Sequence, residues 1–530
     1  GQGHPGDRPA GRGVEHLDVR GGIGDGPGAA DKLGDFHEIN GGAWSVADAA
    51  THGEVFNPST GRAIARVPLA DADSADAAVR AAVEALPAWS ETPAVERARL
   101  MFAYREKVVE HFDELARLVT REHGKTHAEA KAEVQRGLEM VEYACSVPAL
   151  LAGDTFPQLA RSVDGETNRH PVGVCAGITP YNFPNMVPLW MFPIALACGN
   201  TFVLKPSEKV PLSAVRLIEL LDDAGLPNGV LNLVHGGKDM VDALLAHPDV
   251  AAVSFVGSTA IAKHVYTTAT SHGKRVQAAG GAKNHLVIMP DADLDQAVKA
   301  LSASAFGCAG QRCMAGSVAL AAGGVGDALV ERLVDYGKTI DAGPTDGNDA
   351  AEMGPLINAG HRDRVAGYLD SASKEGADVA LDGREVDAGD AFLLGPSVVD
   401  QVTTNMSLWT DEIFGPVLSV VRVDDLESAI DVGKQCPYGN GASIFTRSGH
   451  AAREFKRRFN AGMIGVNVGV PAPMAWLPFT GWNQSFFGDL HIQGTEGVHF
   501  YTRQKMTLTR WFASADESHH DPVWKSGSAS

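Results

Sequence analysis

Nowhere in its 530 residues does the chain carry eighteen consecutive apolar residues, and its beginning lacks the basic-then-apolar pattern of a secretion signal. No membrane-spanning helix and no membrane partner are expected. Cysteine is scarce: six residues, most of them inside apolar stretches, which suits a reducing compartment better than a disulfide scaffold. The expected location is the cytoplasm. Positive charge is in deficit, with 45 Lys and Arg against 65 Asp and Glu and a net charge of −20. That balance argues against a nucleic-acid surface and against anionic membranes, although a local arginine pair can still hold a small anion. Two chemical signatures are missing as well. No G-x-G-x-x-G follows a strand pattern to mark a dinucleotide turn, the one match (residues 1–6) lying in the glycine-rich opening stretch, and none of the 19 histidines sits in an H-E-x-x-H pattern. No metal site is expected.

The chain divides by pattern. Residues 1–35 hold eleven glycines and three prolines and are expected to be a disordered tail, as is the stretch 512–530. "FNPSTGR" (56–62) is turn-rich punctuation between short strands. A helical run follows, then a second in which Leu100, Tyr104, Val108, Phe112, Leu115 and Val119 recur at three- and four-residue spacing, with Gly124 placed as its C-terminal cap. A third run starts at Ala128. Beyond it, short apolar segments such as "VGVCAGITP", "GNTFVLKP" and "VAAVSFVGS" alternate with helical ones, a βαβ pattern that predicts parallel sheets between helical layers. A second alternating set runs from residue 284 to about 460. The fold class is α/β, with two α/β domains.

Three segments carry candidate chemistry. "FGCAGQRCMAG" (306–316) sets Cys308 and Cys313 five apart, open to reading as a metal pair, a disulfide, core thiols or a nucleophile. A metal pair is disfavoured because no second Cys or His pair accompanies it. "SFVGSTAIAKHV" (254–265) ends a buried strand at Gly257, with Ser258 placed to cap a helix whose N-terminus suits an anion; an ordinary capped helix is the competing reading. "LKPSE" (204–208) places Lys205 and Glu208 at the C-terminal end of a neighbouring strand, where ligands of open α/β sheets collect. A carboxylate there suits a ribose diol and repels a 2′-phosphate, favouring NAD over NADP.

Taken together, "ITPYNFPNMVPLWMFPIALACGNTFVLKPSE", "FVGST", "GGAKNH", "GQRCMA" and "DEIFGPVL" resemble the aldehyde dehydrogenase superfamily, in order and over residues 36 to 510. Within it they are most similar to the CoA-acylating branch that oxidises methylmalonate semialdehyde. The resemblance implies the aldehyde dehydrogenase fold: a Rossmann-like NAD-binding domain in two parts (36–148 and 172–282), an oligomerisation hairpin (149–171), an α/β catalytic domain (283–483) and a C-terminal interface segment (484–511), in which 497–511 looks like an interface strand. It further implies Cys313 as nucleophile and Asn182 as oxyanion donor. Phe183, Lys205, Glu208, Gly257, Ser258, Glu412 and Phe414 become cofactor contacts, and Arg136 and Arg312 grip the substrate carboxylate. Ala262 stands where many members carry glycine. The family forms dimers or tetramers, and a homotetramer is expected here. Cys308 is read as a packing thiol, while His235 and His285 stay unassigned.

The chemistry of these residue types is coherent. A thiolate adds to an aldehyde, and the resulting alkoxide can release hydride and leave a thioester. Arg312, next to Cys313, is a cation able to lower the thiol pKa. Hydrolytic members carry a glutamate at the head of an E-L-G-G-K segment; in "AAGGAKN" that position is Ala279, and no acid occurs from Ser271 to Gly281. Without a general base, attack by water slows by roughly 10²–10⁴. A thiol acceptor does not need that base, so coenzyme A is the expected co-substrate. The expected reaction is NAD-dependent oxidation of methylmalonate or malonate semialdehyde, with decarboxylation, to propanoyl-CoA or acetyl-CoA. Two alternatives remain at this level: a hydrolytic semialdehyde dehydrogenase using another base and giving a free acid, and a non-catalytic member that keeps only the fold.

Overall fold

The computed structural model describes residues 37–46 and 49–512. The expected tails lie outside these residues, apart from Phe512. Two large sheets organise the chain. The first has eight strands in the order Ala43–Val46, His37–Asn40, Leu231–Leu233, Thr201–Lys205, Val174–Ile178, Val250–Val256, Arg275–Ala279 and Phe486–Gly488. Its five central strands are parallel and the outer ones antiparallel. Buried apolar residues pack on both faces of this sheet, as its runs of Val, Leu, Ile and Ala demand. Strand order reverses between Val174–Ile178 and Val250–Val256, leaving a crevice at their C-terminal ends.

The second sheet has seven strands, ordered Asp378–Leu381, Ser397–Asp400, Val417–Val423, Gly316–Ala322, Asn284–Ile288, Gly441–Phe445 and Met463–Val466, around a core of its own. Only the Asp378–Leu381 edge runs antiparallel. A third, three-stranded antiparallel sheet sets Val163–Pro171 between Thr155–Ala160 and Thr502–Arg510. It exposes Phe156, Leu159, Met506 and Leu508.

Two expectations need correction. The long second helical run is two helices, Ala94–Glu110 and α1 (Phe112–His123), because His111 leaves helical backbone at φ −103° and ψ 19°. Gly124 does cap α1, at a left-handed φ of 92°. The interface segment 497–511 is not extended throughout, since residues Gly494–Phe500 are helical and only Thr502–Arg510 forms a strand.

Four further helices position the site: α2 (His127–Cys145), α3 (Met186–Ala197), α4 (Leu212–Asp223) and α5 (Thr259–Ser271). Helix α2 opens with a capping box: Thr126 Oγ1 accepts from the Glu129 N–H, and the Glu129 carboxylate accepts from the Thr126 N–H.

Candidate active site

Cys313 reaches its position through an unusual turn. The helix Leu294–Phe306 ends in residues Gly307–Gly310, where Cys308 and Ala309 both take left-handed backbone (φ 50° and 51°) and Gly310 follows at φ 69°. Left-handed residues with a side chain cost about 1–3 kcal/mol each and persist only where neighbours hold them. Glu129 is that neighbour. Its Oε1 accepts the Cys308 N–H at 2.6 Å and an Arg312 Nη2 hydrogen at 3.1 Å, while its other oxygen serves the capping box. Gly310 lies so close to the Gly415 carbonyl that a Cβ would collide with it. Beyond the turn, Asn284 and Asn440 donate from Nδ2 to the Cys313 carbonyl at 2.8 and 2.9 Å, fixing that peptide before the strand Gly316–Ala322 begins.

Half-buried Cys313 lies on the wall between two cavities. The smaller, about 400 Å³, is lined by Arg136, Arg312, Phe183, Met186, Trp190 and Phe479. The larger, about 730 Å³, occupies the crevice of the first sheet and is lined by Asn182, Lys205, Glu208, Gly257, Ser258, Glu412 and Phe414. Of the sequence-selected residues, only Phe183 lies on the other side from that expected. It lines the smaller cavity, where Lys125 Nζ stands 4.1 Å from its ring centroid. The capping expected of Ser258 is also different. Ser258 holds the N-cap position of α5, but its side chain makes no cap bond. That leaves the helix N-terminus to the crevice, where the N–H groups can serve an anion.

The charges are paired in advance. Arg136 donates to Glu139 at 3.0 Å, one turn along α2, and lines the smaller cavity as well. Arg312 donates to Glu129, to the Ala303 carbonyl and, from Nε, to Cys308 Sγ at 3.2 Å. Cys308 is thus more than packing, since it holds the guanidinium that faces the cavity. Lys205 and Glu208 form an ion pair at 3.1 Å. Burial works to raise the Glu208 carboxyl, but Lys205, a backbone hydrogen bond and Lys209 outweigh it and hold it below its ordinary value.

Burial and the Glu412 carboxylate push the Cys313 thiol up to about 12, against its own N–H, that of Met314 and the charge of Arg312. The lowering expected from Arg312 exists but does not prevail. Glu412 itself is raised to about 7 by burial, opposed by the Ala282 N–H that it accepts at 2.8 Å and by Lys283 and Arg364. Phe414 is left-handed at φ 59°, and its carbonyl accepts from His361 Nε2 at 2.7 Å. Asn182 donates from Nδ2 to the Gln311 carbonyl at 3.0 Å. Ala279 is 1 % exposed in its strand and lines neither cavity. His285 is buried against Trp409 and Phe459, and His235 is buried too. Among the described residues, no three His, Cys, Asp or Glu side chains converge as metal ligands.

Sequence reasoning missed Glu129, His361 and the buried Lys125. For Glu129 a signal existed, the T-x-x-E spacing from Thr126, but it marks a helix start rather than a residue reaching across to the Cys308 turn.

Fold and site together define an α/β oxidoreductase built around a cysteine. Residues 44–507 match the model of the aldehyde dehydrogenase family, and the chain belongs to that family. It is 52 % identical over 473 residues to malonate-semialdehyde dehydrogenase 1 of Geobacillus thermodenitrificans, covering 89 % of this chain and 98 % of that protein. The crystal structure of methylmalonate-semialdehyde dehydrogenase from Oceanimonas doudoroffii superposes with a TM-score of 0.89 at 46 % identity, over 92 % of this chain and all of that one. A protein of Sinorhizobium meliloti 1021 solved in complex with NAD also gives a TM-score of 0.89, at 44 % identity over 91 % of this chain and 99 % of its own. Among the described residues no helix is long and apolar enough to cross a membrane.

Proposed function

We propose that the enzyme oxidises malonate and methylmalonate semialdehyde with NAD and passes the acyl group to coenzyme A. The observation that carries this reading is the place of Cys313 between a cavity bearing two guanidiniums and a crevice with dinucleotide-type walls. In the smaller cavity Arg136 and Arg312 take the substrate carboxylate, a pairing whose planar fork suits that group. In the larger, Glu208 and Lys205 meet the adenosine ribose, the N-terminus of α5 at Gly257 and Ser258 meets the pyrophosphate, and Glu412 and Phe414 flank the nicotinamide ribose and ring. NAD bound there supplies the hydride acceptor. The similarity to semialdehyde dehydrogenases and to a protein solved with NAD supports both assignments.

Cys313 Sγ, as thiolate, adds to the aldehyde carbon. Asn182 Nδ2 and the Cys313 N–H donate to the oxygen that gains charge, a pair of donors each worth about 10²–10³ in rate. Loss of hydride from that carbon leaves a thioester on Cys313. The carboxylate β to the new carbonyl then departs as CO₂, its electrons passing to an enolate that the same two donors stabilise. Protonation of the enolate and attack by the coenzyme A thiolate release acetyl-CoA or propanoyl-CoA and restore Cys313. Ala279 supports a thiol acceptor because it offers water no base.

One observation favours a second reading. Glu412 shares the larger cavity with Cys313 and has its carboxyl raised to about 7, so it has the proton affinity of a base for water. That enzyme would release a free acid. A product assay on both semialdehydes, with and without coenzyme A, separates the two. Acyl-CoA and coenzyme A-dependent steady turnover are expected; free acid formed at the same rate without coenzyme A would refute the acylating reading. The same reading places the enzyme in the cytoplasm as a homotetramer. Six free cysteines and the exposed apolar side chains of the three-stranded sheet support it.

A further inference from the structure

Lys125 and Glu133 form a buried ion pair, with Glu133 bordering the smaller cavity. Lys125 Nζ donates to Glu133 Oε2 at 2.6 Å, and neither side chain has exposed surface. Dehydrating two charges costs several kcal/mol per ion, and an apolar pair of the same size is often as stable, so the pair is not explained by stability alone. Its remaining bonds all go to one short segment. Lys125 Nζ donates to the Asn182 carbonyl at 2.8 Å, and Glu133 Oε1 accepts the N–H groups of Asn185 and Met186 at 2.8 and 3.1 Å. The ammonium also covers the Phe183 ring.

The pair therefore grips residues 182–186 at both ends. That segment needs gripping, because Pro184 has no N–H to tie it down. A second buried carboxylate steadies it from behind. Glu122 accepts the N–H groups of Leu212 and Ser213 at the start of α4, and Asn185 Nδ2 donates to Ser213 Oγ at 3.1 Å. The side chain this scaffold presents is Asn182, whose Nδ2 lies 3.0 Å from the Gln311 carbonyl, two residues before Cys313.

We infer that Lys125 and Glu133 are positioning residues for oxyanion stabilisation: the pair aims the Asn182 amide at the oxygen of a substrate carried on Cys313. The inference rests on the role given to Asn182 under the proposed function. Neither residue touches the reacting atoms. Their effect passes through the backbone of residues 182–186, and a donor displaced by about 1 Å loses much of its value.

The test uses the full-length enzyme with NAD and malonate semialdehyde, and compares Glu133→Gln, Lys125→Met, Asn182→Ala and the Lys125→Met/Asn182→Ala double variant. Glu133→Gln keeps an acceptor for the loop N–H groups while removing the charge, so it reports even where Lys125→Met folds poorly. The first-turnover NADH burst is expected to slow about 10- to 100-fold in each pair variant. The KM for NAD and the rate of Cys313 alkylation by iodoacetamide, which forms no oxyanion, should stay within about twofold, because neither depends on that donor. The double variant should be no slower than Asn182→Ala alone. A normal burst in Glu133→Gln beside a slow Asn182→Ala would refute the positioning role alone. So would alkylation that slows in step with the burst, or losses that multiply in the double variant. A normal burst in Asn182→Ala would refute the reading of the donor and the positioning role with it.

Discussion

Arg312 aims its Nε hydrogen at the sulfur of Cys308, 3.2 Å away, and not at Cys313 beside it in sequence. The two cysteines thus divide the labour of one short turn, Cys308 orienting a cation and Cys313 facing both cavities. Cys313→Ser is expected to abolish aldehyde oxidation. Cys308→Ser, whose hydroxyl still accepts from Nε, should keep most of the activity. Cys308→Ala should raise the KM for malonate semialdehyde about 5- to 10-fold, the loss of roughly one hydrogen bond. Steady-state kinetics on the three variants checks this, and an inactive Cys308→Ser beside an active Cys313→Ser would reverse the assignment.

The proposed grip of Arg136 and Arg312 on the substrate carboxylate predicts a selectivity that can be measured by removing either. Arg312→Gln and Arg136→Gln should each raise the KM for malonate semialdehyde about 10- to 100-fold, the range of a charge-assisted hydrogen bond. The KM for propanal, which has no carboxylate, should hardly move. Equal effects on both aldehydes would mean that the arginines shape the cavity rather than bind the substrate.

Glu208 offers a similar test on the cofactor side. Its carboxylate, paired with Lys205, is expected to repel a 2′-phosphate. Glu208→Gln should lower kcat/KM for NAD about tenfold and raise it for NADP. An unchanged ratio between the two cofactors would remove Glu208 from cofactor selection.

The pH dependence of Cys313 has a definite sign. A thiol pushed up to about 12 is almost wholly protonated at neutral pH, and only the thiolate reacts. In the enzyme without ligands, the logarithm of the iodoacetamide alkylation rate should rise with pH at a slope near 1 from about pH 7 to about pH 10. Mass spectrometry of the Cys313 peptide follows it. A plateau below about pH 9 would show that the thiolate is stabilised beyond what its neighbours account for.

The alternation of strands and helices was legible in the first sheet because Val174–Ile178, Thr201–Lys205, Leu231–Leu233 and Val250–Val256 are apolar runs closed within three residues by Gly or Pro. The break at His111 was not. The apolar stripe from Leu100 to Val119 continues through it, and His111 makes no side-chain cap bond that would announce a new helix. At the site, Cys313, Asn182 and Glu208 lie in segments whose resemblance to a family was readable residue by residue. Lys125 and Glu133 were invisible for a physical reason. A lysine in the short loop between α1 and α2 and a glutamate on α2 look solvated until the chain brings the Asn182 segment, 57 residues beyond Lys125, against them. The side of the site to which Phe183 belongs was equally out of reach, since a ring beside Asn182 can turn either way and the position of Lys125 decides it.

Because Cys313 stands on a wall shared by two cavities, the enzyme has two entrances to one sulfur. An occupant of the crevice leaves the arginine-lined side open, and an aldehyde there leaves the crevice open. The order in which the ligands arrive is then expected to follow affinity and not obstruction. A dead-end ligand confined to one entrance should slow turnover without competing for the other, and inhibitors against either side can be combined without excluding one another.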